Sequence, residues 1–575
     1  MFKKLYPFIG KYKKATMLTV IVVVCEVLLE ILIPRLMSNI IDIGIENSDI
    51  AYIVKTGLMM VGFALLSLCC GAASGRFAAV ASIGFGKNIR KALFDKIQNF
   101  SFKNIDKYST SSLVMRLTTD ITNCQMSYMV IIRFLVRAPI MLICATLMTV
   151  SINARLSMIF LVAIPILGGA MFFISRLAYP RYQTMLQKYD SMNASVQENL
   201  IAIRVVKAFV RSKHENDRFR VSADELRQFE LKAEKTLIYI MPVMQFVMYG
   251  CMVAVSWFGG NMIIVGDMLP GEFMSFISYI SQILMSLMMI TMSFVMLVLS
   301  RASISRIVEV LEEKIDITDE NADAELTVRD GSVSFKNVSF AYNAGSKKMI
   351  LSDINIDIHP GETIGIIGGT GSAKTTFVQL IPRLYDVLSG SVEVGGHDVR
   401  EYKIETLRNA VAMVLQKNVL FSGTIKDNLR WGDQNATDAE IIAAAQAAQA
   451  HDFIMSFPDG YDTDLGQGGV NVSGGQKQRL CIARALLKKP KVIILDDSTS
   501  AVDTATDSLI RDAFRRELRD TTTIIIAQRI NSVQDADRII VMDEGAIVAI
   551  GNHEQLLAEN QIYREVYQSQ QKGVE

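Results

Sequence analysis

The chain has 575 residues, of which 50% are hydrophobic and 20% are charged. It is too long for one ordinary domain and too apolar for an average soluble protein, so we expect part of it to meet lipid. The 59 Lys and Arg residues nearly cancel the 58 Asp and Glu residues, which excludes the basic surface that binding to nucleic acid requires.

Six apolar segments occupy the first half of the chain, and each is long enough to cross a bilayer as a helix, which takes roughly 20 residues. They span residues 17–41, 51–83, 129–152, 156–177, 237–265 and 273–299. A soluble protein would need a very large core to bury all of them. No cleavage site follows the basic start of the chain, so we expect the first segment to stay as a membrane anchor. The sequence predicts a helical membrane domain over residues 1–311.

The connections between these segments differ in length and charge. Residues 42–49 and 266–272 are short and carry no Lys or Arg, whereas 86–123 and 178–235 are long and carry many. Basic loops favour the cytoplasmic side, which places both long excursions and both ends of the six-helix unit in the cytoplasm. Helical periodicity in the excursions indicates that the membrane helices continue beyond the bilayer. Short helices near 109–118 and 205–214 are expected to dock onto a cytoplasmic domain.

Residues 312–330 form an acidic stretch without apolar periodicity, which is typical of a linker. Beyond it, β-branched runs such as 333–340, 363–367 and 492–495 alternate with helical patterns. This alternation predicts an α/β domain with a largely parallel sheet over residues 331–575.

The predicted strand 363–367 leads into a glycine-rich loop close to the phosphate-binding pattern of Gly, four residues, Gly-Lys-Ser/Thr. Backbone amides and a helix N-terminus would hold the phosphates of ATP, Lys374 would meet the β- and γ-oxygens, and Thr375 would ligate Mg²⁺. Ala373 departs from the pattern, which has glycine there. The candidate ATP-binding residues of this loop are Gly368, Gly369, Thr370, Gly371, Ser372, Ala373, Lys374, Thr375 and Thr376.

The predicted strand 492–495 ends at Asp496, whose carboxylate suits Mg²⁺. Between it and the phosphate loop lies the segment Val472-Ser473-Gly474-Gly475-Gln476, which resembles the signature motif of ATP-binding cassette proteins. Six membrane helices, two long cytoplasmic excursions and one cassette extend this resemblance over the whole chain, to the half-transporter exporters of that family. The resemblance implies an α-helical six-span membrane domain of exporter type followed by an α/β P-loop nucleotide-binding domain.

Further roles follow from the resemblance. In this family each ATP lies between the phosphate loop of one cassette and the signature of another, so we expect the chain to dimerise. The expected contributions to the partner's site are Ser473, Gly474, Gly475 and Gln476. Tyr342 resembles the aromatic residue on which adenine stacks, and Gln416 resembles the glutamine that senses Mg²⁺ and the attacking water. The expected Mg²⁺ ligands are therefore Thr375, Gln416 and Asp496. Residues 500–503 resemble the loop through which two cassettes communicate, and 199–209 the region of the second docking helix.

Two positions depart from the family's catalytic pattern. After the strand carboxylate the family usually has a glutamate that polarises water, whereas this chain has Asp497, which is one methylene shorter. The family has a switch histidine where this chain has Gln528, and glutamine cannot accept and release a proton as histidine can. General acid–base catalysis is worth roughly 10²–10⁴ in rate, so both changes together predict weak hydrolysis. The alternative is a functional variant in which Asp497 still serves as the base.

The intact signature and the altered catalytic positions together indicate a heterodimer. The expected partner is a second half-transporter with Glu and His at the altered positions, in the plasma (inner) membrane, with membrane lipid around both. Hydrophobic small molecules, lipids and peptides all remain possible substrates. Two other interpretations stay open: a catalytically active homodimeric exporter, and an ATP-binding regulatory or sensor protein that does not pump.

Charged residues lie inside two of the predicted spans. Glu26 and Glu30 are one turn apart on the first, and Arg133 and Arg137 are one turn apart on the third. Because charges at membrane depth are costly, we expect them to pair with each other, the alternative being a place on the substrate path. The sixth span carries a methionine run, which is either ordinary filler or an adaptable wall for substrates: Met285, Met288, Met289, Met292 and Met296.

Overall fold

The computed structural model describes residues 2–343, 348–497 and 504–572. The chain forms two compact units: a helical unit of residues 1–98 and 109–313, and an α/β unit of residues 99–108 and 314–575. The units divide close to the start of the predicted linker. The domain limits at residues 311 and 330 stay predictions.

The helical unit is built from long apolar helices, preceded by a four-residue turn at Phe2–Leu5. The helices up to residue 312 are α1 (Tyr6–Ile45), α2 (Ile50–Gln98), α3 (Phe102–Lys107), α4 (Thr110–Ile152), α5 (Ala154–Ile201), α6 (Ile203–Ala208), α7 (Ser212–Val265) and α8 (Pro270–Glu312). Of these, α1, α2, α4, α5, α7 and α8 are long and apolar enough to cross a membrane. This confirms the expected six-span helical domain.

Several of these helices are much longer than a bilayer is thick. Helices α2 and α5 contain 49 and 48 residues, which at 1.5 Å per residue is about 70 Å, against about 30 Å for the hydrocarbon core. The helices therefore continue far past the apolar segments, as their periodicity predicted. A turn of π-helix ends α1 at Ile40–Ile45, and two more interrupt α4 at Arg116–Asp120 and Val130–Phe134.

Polar contacts fasten α1 to α8. Pro34 lies inside α1, where proline disturbs the ladder of backbone hydrogen bonds, and the Ser275 hydroxyl donates to its carbonyl at 2.5 Å. At the end of α1 the Asp42 carboxylate accepts from the amide of Gly271, in the first turn of α8, at 2.6 Å. A carboxylate at a helix N-terminus satisfies amides that lack a partner within the helix.

The membrane charges pair largely as expected. The Arg137 guanidinium on α4 forms ion pairs with both carboxylates of α1, bonding Glu26 directly and Glu30 at 2.6 Å. Arg133 instead approaches the Gly71 carbonyl of α2 at 3.5 Å. One guanidinium on α4 thus pairs with two carboxylates on α1, instead of the four residues forming two matched pairs.

The α/β unit contains two main sheets. Its strands are β1 (Val333–Phe340), β2 (Leu351–Ile358), β3 (Thr363–Gly368), β4 (Ser389–Val394), β5 (His397–Asp398), β6 (Val411–Val414), β7 (Gly423–Thr424), β8 (Asp464–Leu465), β9 (Val492–Asp496), β10 (Thr522–Ile526), β11 (Arg538–Asp543) and β12 (Ala546–Gly551). The larger sheet has the order β12-β11-β3-β10-β9-β6 and is parallel except for β12. Strands β9 and β10 are buried along their whole length, as expected for a sheet covered on both faces.

Helices cover this sheet and connect its strands. They are α9 (Lys374–Gln379), α10 (Ile404–Ala410), α11 (Ile425–Leu429), α12 (Asp438–Ala447), α13 (His451–Met455), α14 (Gly474–Leu487), α15 (Thr504–Glu517), α16 (His553–Glu559) and α17 (Gln561–Lys572). The alternation confirms the predicted α/β class. Val333–Phe340 lies in a second sheet, which is antiparallel and has the order β2-β1-β4-β5.

Helix α3 belongs to the α/β unit although the chain on both sides of it belongs to the helical unit. A capping box between Ser101 and Asn104 starts this helix, and the side-chain amide of Asn104 donates to the Lys314 carbonyl at 2.9 Å. The docking helix expected at 109–118 stays a prediction: those residues lie in the helical unit, whereas α3 lies in the α/β unit. The second predicted segment, 205–214, overlaps α6.

Candidate nucleotide-binding site

The glycine-rich loop joins β3 to α9 and wraps around its own lysine. The Lys374 ammonium donates to the carbonyls of Gly368 and Gly369, each at 2.8 Å, and to the Ser372 hydroxyl at 3.2 Å. Burial lowers the pKa of Lys374, an effect that the carboxylates of Asp496 and Asp497 oppose. A cation among backbone amides at the start of a helix suits the phosphates of a nucleotide.

Two positions of this loop show why its residue types matter. A Cβ atom at Gly368 would lie 2.2 Å from the Met542 carbonyl oxygen, so glycine alone fits there. Ala373 has a left-handed φ of +69°, a conformation that costs an L-residue about 1–2 kcal/mol. Its side chain packs against the core of the α/β unit. The departure from glycine therefore keeps the shape of the loop but adds backbone strain.

A hydroxyl and a carboxylate meet beside the lysine. Thr375 Oγ1 donates to Asp496 Oδ1 at 3.1 Å, and Asp496, at the end of β9, is 2% exposed. Burial raises the pKa of Asp496, and the hydrogen bond from Thr375 opposes that change. Oxygen ligands of this kind fit Mg²⁺, which takes its remaining ligands from substrate phosphates and water. Thr375 and Asp496 would hold the ion.

Tyr342 lies beside the same loop. Its hydroxyl is 2.9 Å from the hydroxyl of Thr376 on α9, and the side chain is 40% exposed. Rings of Phe340 and Tyr385 pack against it edge to face, each with centroids 5.1 Å away. These contacts fix the orientation of an aromatic face that remains available to a purine.

Asp497, at the altered base position, is surrounded by glutamine side chains. Gln528 Nε2 donates to Asp497 Oδ2 at 2.8 Å, and the Gln416 side chain hydrogen-bonds to the same carboxyl. Burial raises the pKa of Asp497, and these two hydrogen bonds oppose that change. Gln416, predicted as an Mg²⁺ ligand, thus contacts Asp497 in the structure.

The signature segment starts helix α14. The Ser473 hydroxyl accepts from the Gln476 amide at 3.3 Å, and the Gln476 side chain accepts from the Ser473 amide at 2.8 Å, which forms a capping box. Ser473 and Gly474 are exposed, whereas Gly475 and Gln476 are half-buried. The segment therefore presents a capped helix N-terminus at the surface of the α/β unit.

Other residues of the site gave no signal in the sequence. Gln478, 1% exposed on α14, donates to the Asp497 carbonyl at 3.3 Å. Gln570 on α17 bonds the backbone at Gln528. Both contacts join segments far apart in the sequence, and neither residue type is distinctive. The predicted communication loop, 500–503, lies outside the residues that the structure describes.

Comparison with known families agrees with this geometry. Residues 16–287 match the model of the ABC transporter transmembrane region, and residues 351–500 match the ABC transporter model. A relative from Bacillus subtilis, the uncharacterized ABC transporter ATP-binding protein YfiB, is 37% identical over 99% of this chain and 98% of its own length. The chain belongs to the ABC transporter family.

Two more relatives of this ABC exporter carry names that state an activity. One is the ATP-dependent lipid A-core flippase of Syntrophus aciditrophicus, 32% identical over 92% of this chain and 90% of its own length. The other is YgaD of Bacillus subtilis, a putative multidrug export ATP-binding/permease protein, 32% identical over 98% of both chains. The chain is an exporter half-transporter, a membrane protein whose cytoplasmic ATPase domain binds ATP.

Proposed function

We propose that this chain is the weakly hydrolysing subunit of a heterodimeric exporter. The observation that carries the proposal is the environment of Asp497: the carboxylate is one methylene shorter than glutamate and accepts from the amide of Gln528. All five histidines lie in the described part of the chain, and Gln528 stands where the family has a proton-accepting imidazole. ATP at this site is held more readily than it is hydrolysed.

The chain's own residues suffice for binding. Lys374 and the loop amides would hold the phosphates, Thr375 and Asp496 would hold Mg²⁺, and Tyr342 would stack on adenine. Bound Mg²⁺ would neutralise phosphate charge and orient the oxygens of the β- and γ-phosphates. These interactions need neither a base nor a switch histidine. Binding and hydrolysis are therefore separable at this site.

The signature serves the other site of the dimer. Ser473 and Gly475 lie in an intact, capped and surface-placed segment, which we propose completes a competent site on the phosphate loop of a partner half-transporter. That partner is expected to carry Glu and His at its base and switch positions. Closure of the two cassettes on ATP would then drive the membrane helices between inward-facing and outward-facing states.

Hydrophobic or amphipathic molecules are the proposed substrates, moved out across the plasma membrane. The named relatives act on lipid A-core or are described as multidrug exporters. A cavity of about 310 Å³ in the helical unit supports an apolar substrate, since the methionines of α8 line it together with Val130, Phe134 and Ser293. Methionine side chains adapt to molecules of different shape.

A pair of variants tests the asymmetry. In the complex of this chain with the half-transporter that co-purifies with it, Asp497→Asn should retain most of the ATPase rate and of substrate transport into inverted vesicles. Gly474→Asp should abolish both, because it disrupts the signature that serves the competent site. Equal loss in both variants would contradict the asymmetric arrangement. Appreciable ATPase from the purified chain alone would indicate an active homodimer instead.

A further inference from the structure

The register of the parallel sheet brings Asp497 and Gln528 together. Strands β9 and β10 are parallel neighbours with Asp496 opposite Ile526, so the segments that follow them leave the sheet at the same edge. The Asp497 amide donates to the Ile526 carbonyl at 3.0 Å. Asp497 has a left-handed φ of +49°, which aspartate tolerates better than most residues. The backbone on both sides of the pair is therefore fixed.

Hydrogen bonds hold the side chain of Asp497 as well as its backbone. The carboxylate accepts from Gln528 at 2.8 Å and is hydrogen-bonded to Gln416, and the Asp497 carbonyl accepts from Gln478 at 3.3 Å. Asp497 is 9% exposed. Since buried hydrogen bonds to a charged group are among the stronger ones, this carboxylate is constrained in orientation.

Gln528 is in turn held from the C-terminal helix α17. Gln570 Nε2 donates to the Gln528 carbonyl at 2.7 Å, and Gln570 Oε1 accepts from the Ile530 amide at 2.9 Å. One side chain thus bonds the backbone on both sides of Arg529. Fixing the backbone limits the positions that the Gln528 amide can reach.

We infer that Gln528 is a positioning residue: pinned by Gln570, it holds the Asp497 carboxylate away from water activation and so preserves the ATP bound at this chain's own site. The inference rests on the proposed function and adds a structural reason why ATP is not hydrolysed at this site. Hydrolysis needs a base to take a proton from water as the water oxygen bonds the γ-phosphorus and the bond to the ADP oxygen breaks. Asp497 occupies the position of that base, and it must give up a hydrogen bond from an amide before it can reorient toward water.

The test measures retained nucleotide and local backbone opening in the full complex, in lipid nanodiscs. ATP labelled on the α-phosphate is added with Mg²⁺, free nucleotide is removed rapidly, and the retained label is resolved as ATP or ADP. Hydrogen–deuterium exchange across residues 526–532 reports on the hydrogen bonds from Gln570 to the backbone, independently of ATP turnover. The variants are Gln528→Ala, Gln528→Met, which keeps the length of the side chain but cannot donate, and Gln570→Ala. Gln571→Ala, at an exposed neighbouring glutamine of α17, is the matched control.

Wild-type complex should retain label chiefly as ATP. Both Gln528 variants should raise the ADP share at least threefold, and Gln570→Ala should raise it to a smaller extent. Gln570→Ala should also speed exchange across 526–532, because it removes the acceptor of the Ile530 amide, and Gln571→Ala should match wild type. An unchanged ADP share in both Gln528 variants, or unchanged exchange in Gln570→Ala, overturns the inference. Wild-type complex that retains chiefly ADP would instead refute the proposed weak site, whatever the variants do.

Discussion

The hydroxyl of Tyr385 donates to the Asp106 carboxylate at 2.6 Å, across 279 positions of sequence. Asp106 lies on α3, and the Tyr385 ring also packs on Phe102 of that helix and on Tyr342, with centroids at 6.0 and 5.1 Å. One side chain thus connects the proposed adenine-stacking residue to a helix that the chain joins at both ends to the helical unit. A nucleotide that stacks on Tyr342 can therefore affect α3 through the contacts of Tyr385.

Tyr385→Phe removes that hydrogen bond and keeps both ring contacts. Burial is the main cause that raises the pKa of Tyr385 above its ordinary value, followed by its bond to Asp106, so the hydroxyl stays a donor throughout the physiological range. A hydrogen bond to a charged group is worth about 1.5–3 kcal/mol. We expect substrate stimulation of ATPase to fall severalfold while ATP affinity changes by less than about twofold, measured by steady-state ATPase and fluorescent-nucleotide binding.

Asp106→Asn provides the control for this pair. In a double-mutant cycle, Tyr385→Phe should add little once Asp106 is replaced, because the two changes remove the same interaction. Additive losses would show that the two residues act independently and that the hydrogen bond does not connect the nucleotide site to α3.

Ala373 provides a second prediction, from its left-handed φ of +69°. Ala373→Val places a β-branched residue in that conformation, which such residues very rarely adopt. The start of α9 should then shift and ATP affinity should fall at least about tenfold, roughly 1.4 kcal/mol. Ala373→Gly is the matched control, since glycine adopts this conformation freely and should bind ATP at least as tightly as wild type. Similar affinity in both variants would mean that the strain at this position does not affect binding.

The sequence could predict the phosphate loop and Asp496 because short segments fix their relation to the strands that carry them. Thr375 follows β3 closely, Asp496 ends β9, and parallel strands bring both to one sheet edge. The bond between Asp497 and Gln528 depends instead on which strands are neighbours. Periodicity identifies a strand but not its partner, so it could not show that Val333–Phe340 lies in the antiparallel sheet.

Helix α3 could be overlooked because it has only six residues and a mixed polar sequence. The one local signal was the pair Ser101 and Asn104, three residues apart, which forms its capping box. Asn follows this pattern less often than Glu or Gln, so the signal was weak. The contact of Gln570 with Gln528 has no local signal at all, since it joins α17 to the end of β10 across 42 positions.

We expect the buried carboxylate of Asp496 to destabilise the nucleotide-free fold, although the same carboxylate is needed to bind Mg²⁺. Burial is the main reason that its pKa is raised above 3.8, with the Thr375 hydrogen bond in opposition. An acid with a raised pKa binds its proton more tightly in the folded state than in the unfolded chain. Stability therefore falls as pH rises from that ordinary value through the raised one.

Asp496→Asn removes this cost. We expect a higher midpoint of thermal unfolding without nucleotide at pH 7, equivalent to about 0.5–2 kcal/mol, with a gain over wild type that shrinks as pH falls toward 4. ATP binding should lose its dependence on Mg²⁺. Asp459→Asn, at an exposed position, should change neither property. If Asp496→Asn is no more stable than wild type at pH 7, the buried carboxylate does not destabilise the nucleotide-free protein.

Arg137 should matter more to the helical unit than Arg133, although the two are one turn apart on α4. Arg137→Ala leaves Glu26, which is 6% exposed, without its guanidinium, and breaking a buried ion pair in this way costs about 3–5 kcal/mol. We expect a large loss of folded protein in the membrane and a lower unfolding midpoint, measured by detergent extraction and thermal scanning.

The matched variant Arg133→Ala loses a 3.5 Å contact to the Gly71 carbonyl and should cost less than about 1 kcal/mol, as most substitutions away from buried networks do. Exchanging the charges, Arg137→Glu with Glu26→Arg, should recover part of the stability that Arg137→Glu loses, since the exchange restores an attractive pair between α1 and α4. If the exchange restores nothing, and Arg137→Ala is stable but no longer transports, the charges act on the substrate path rather than in helix packing.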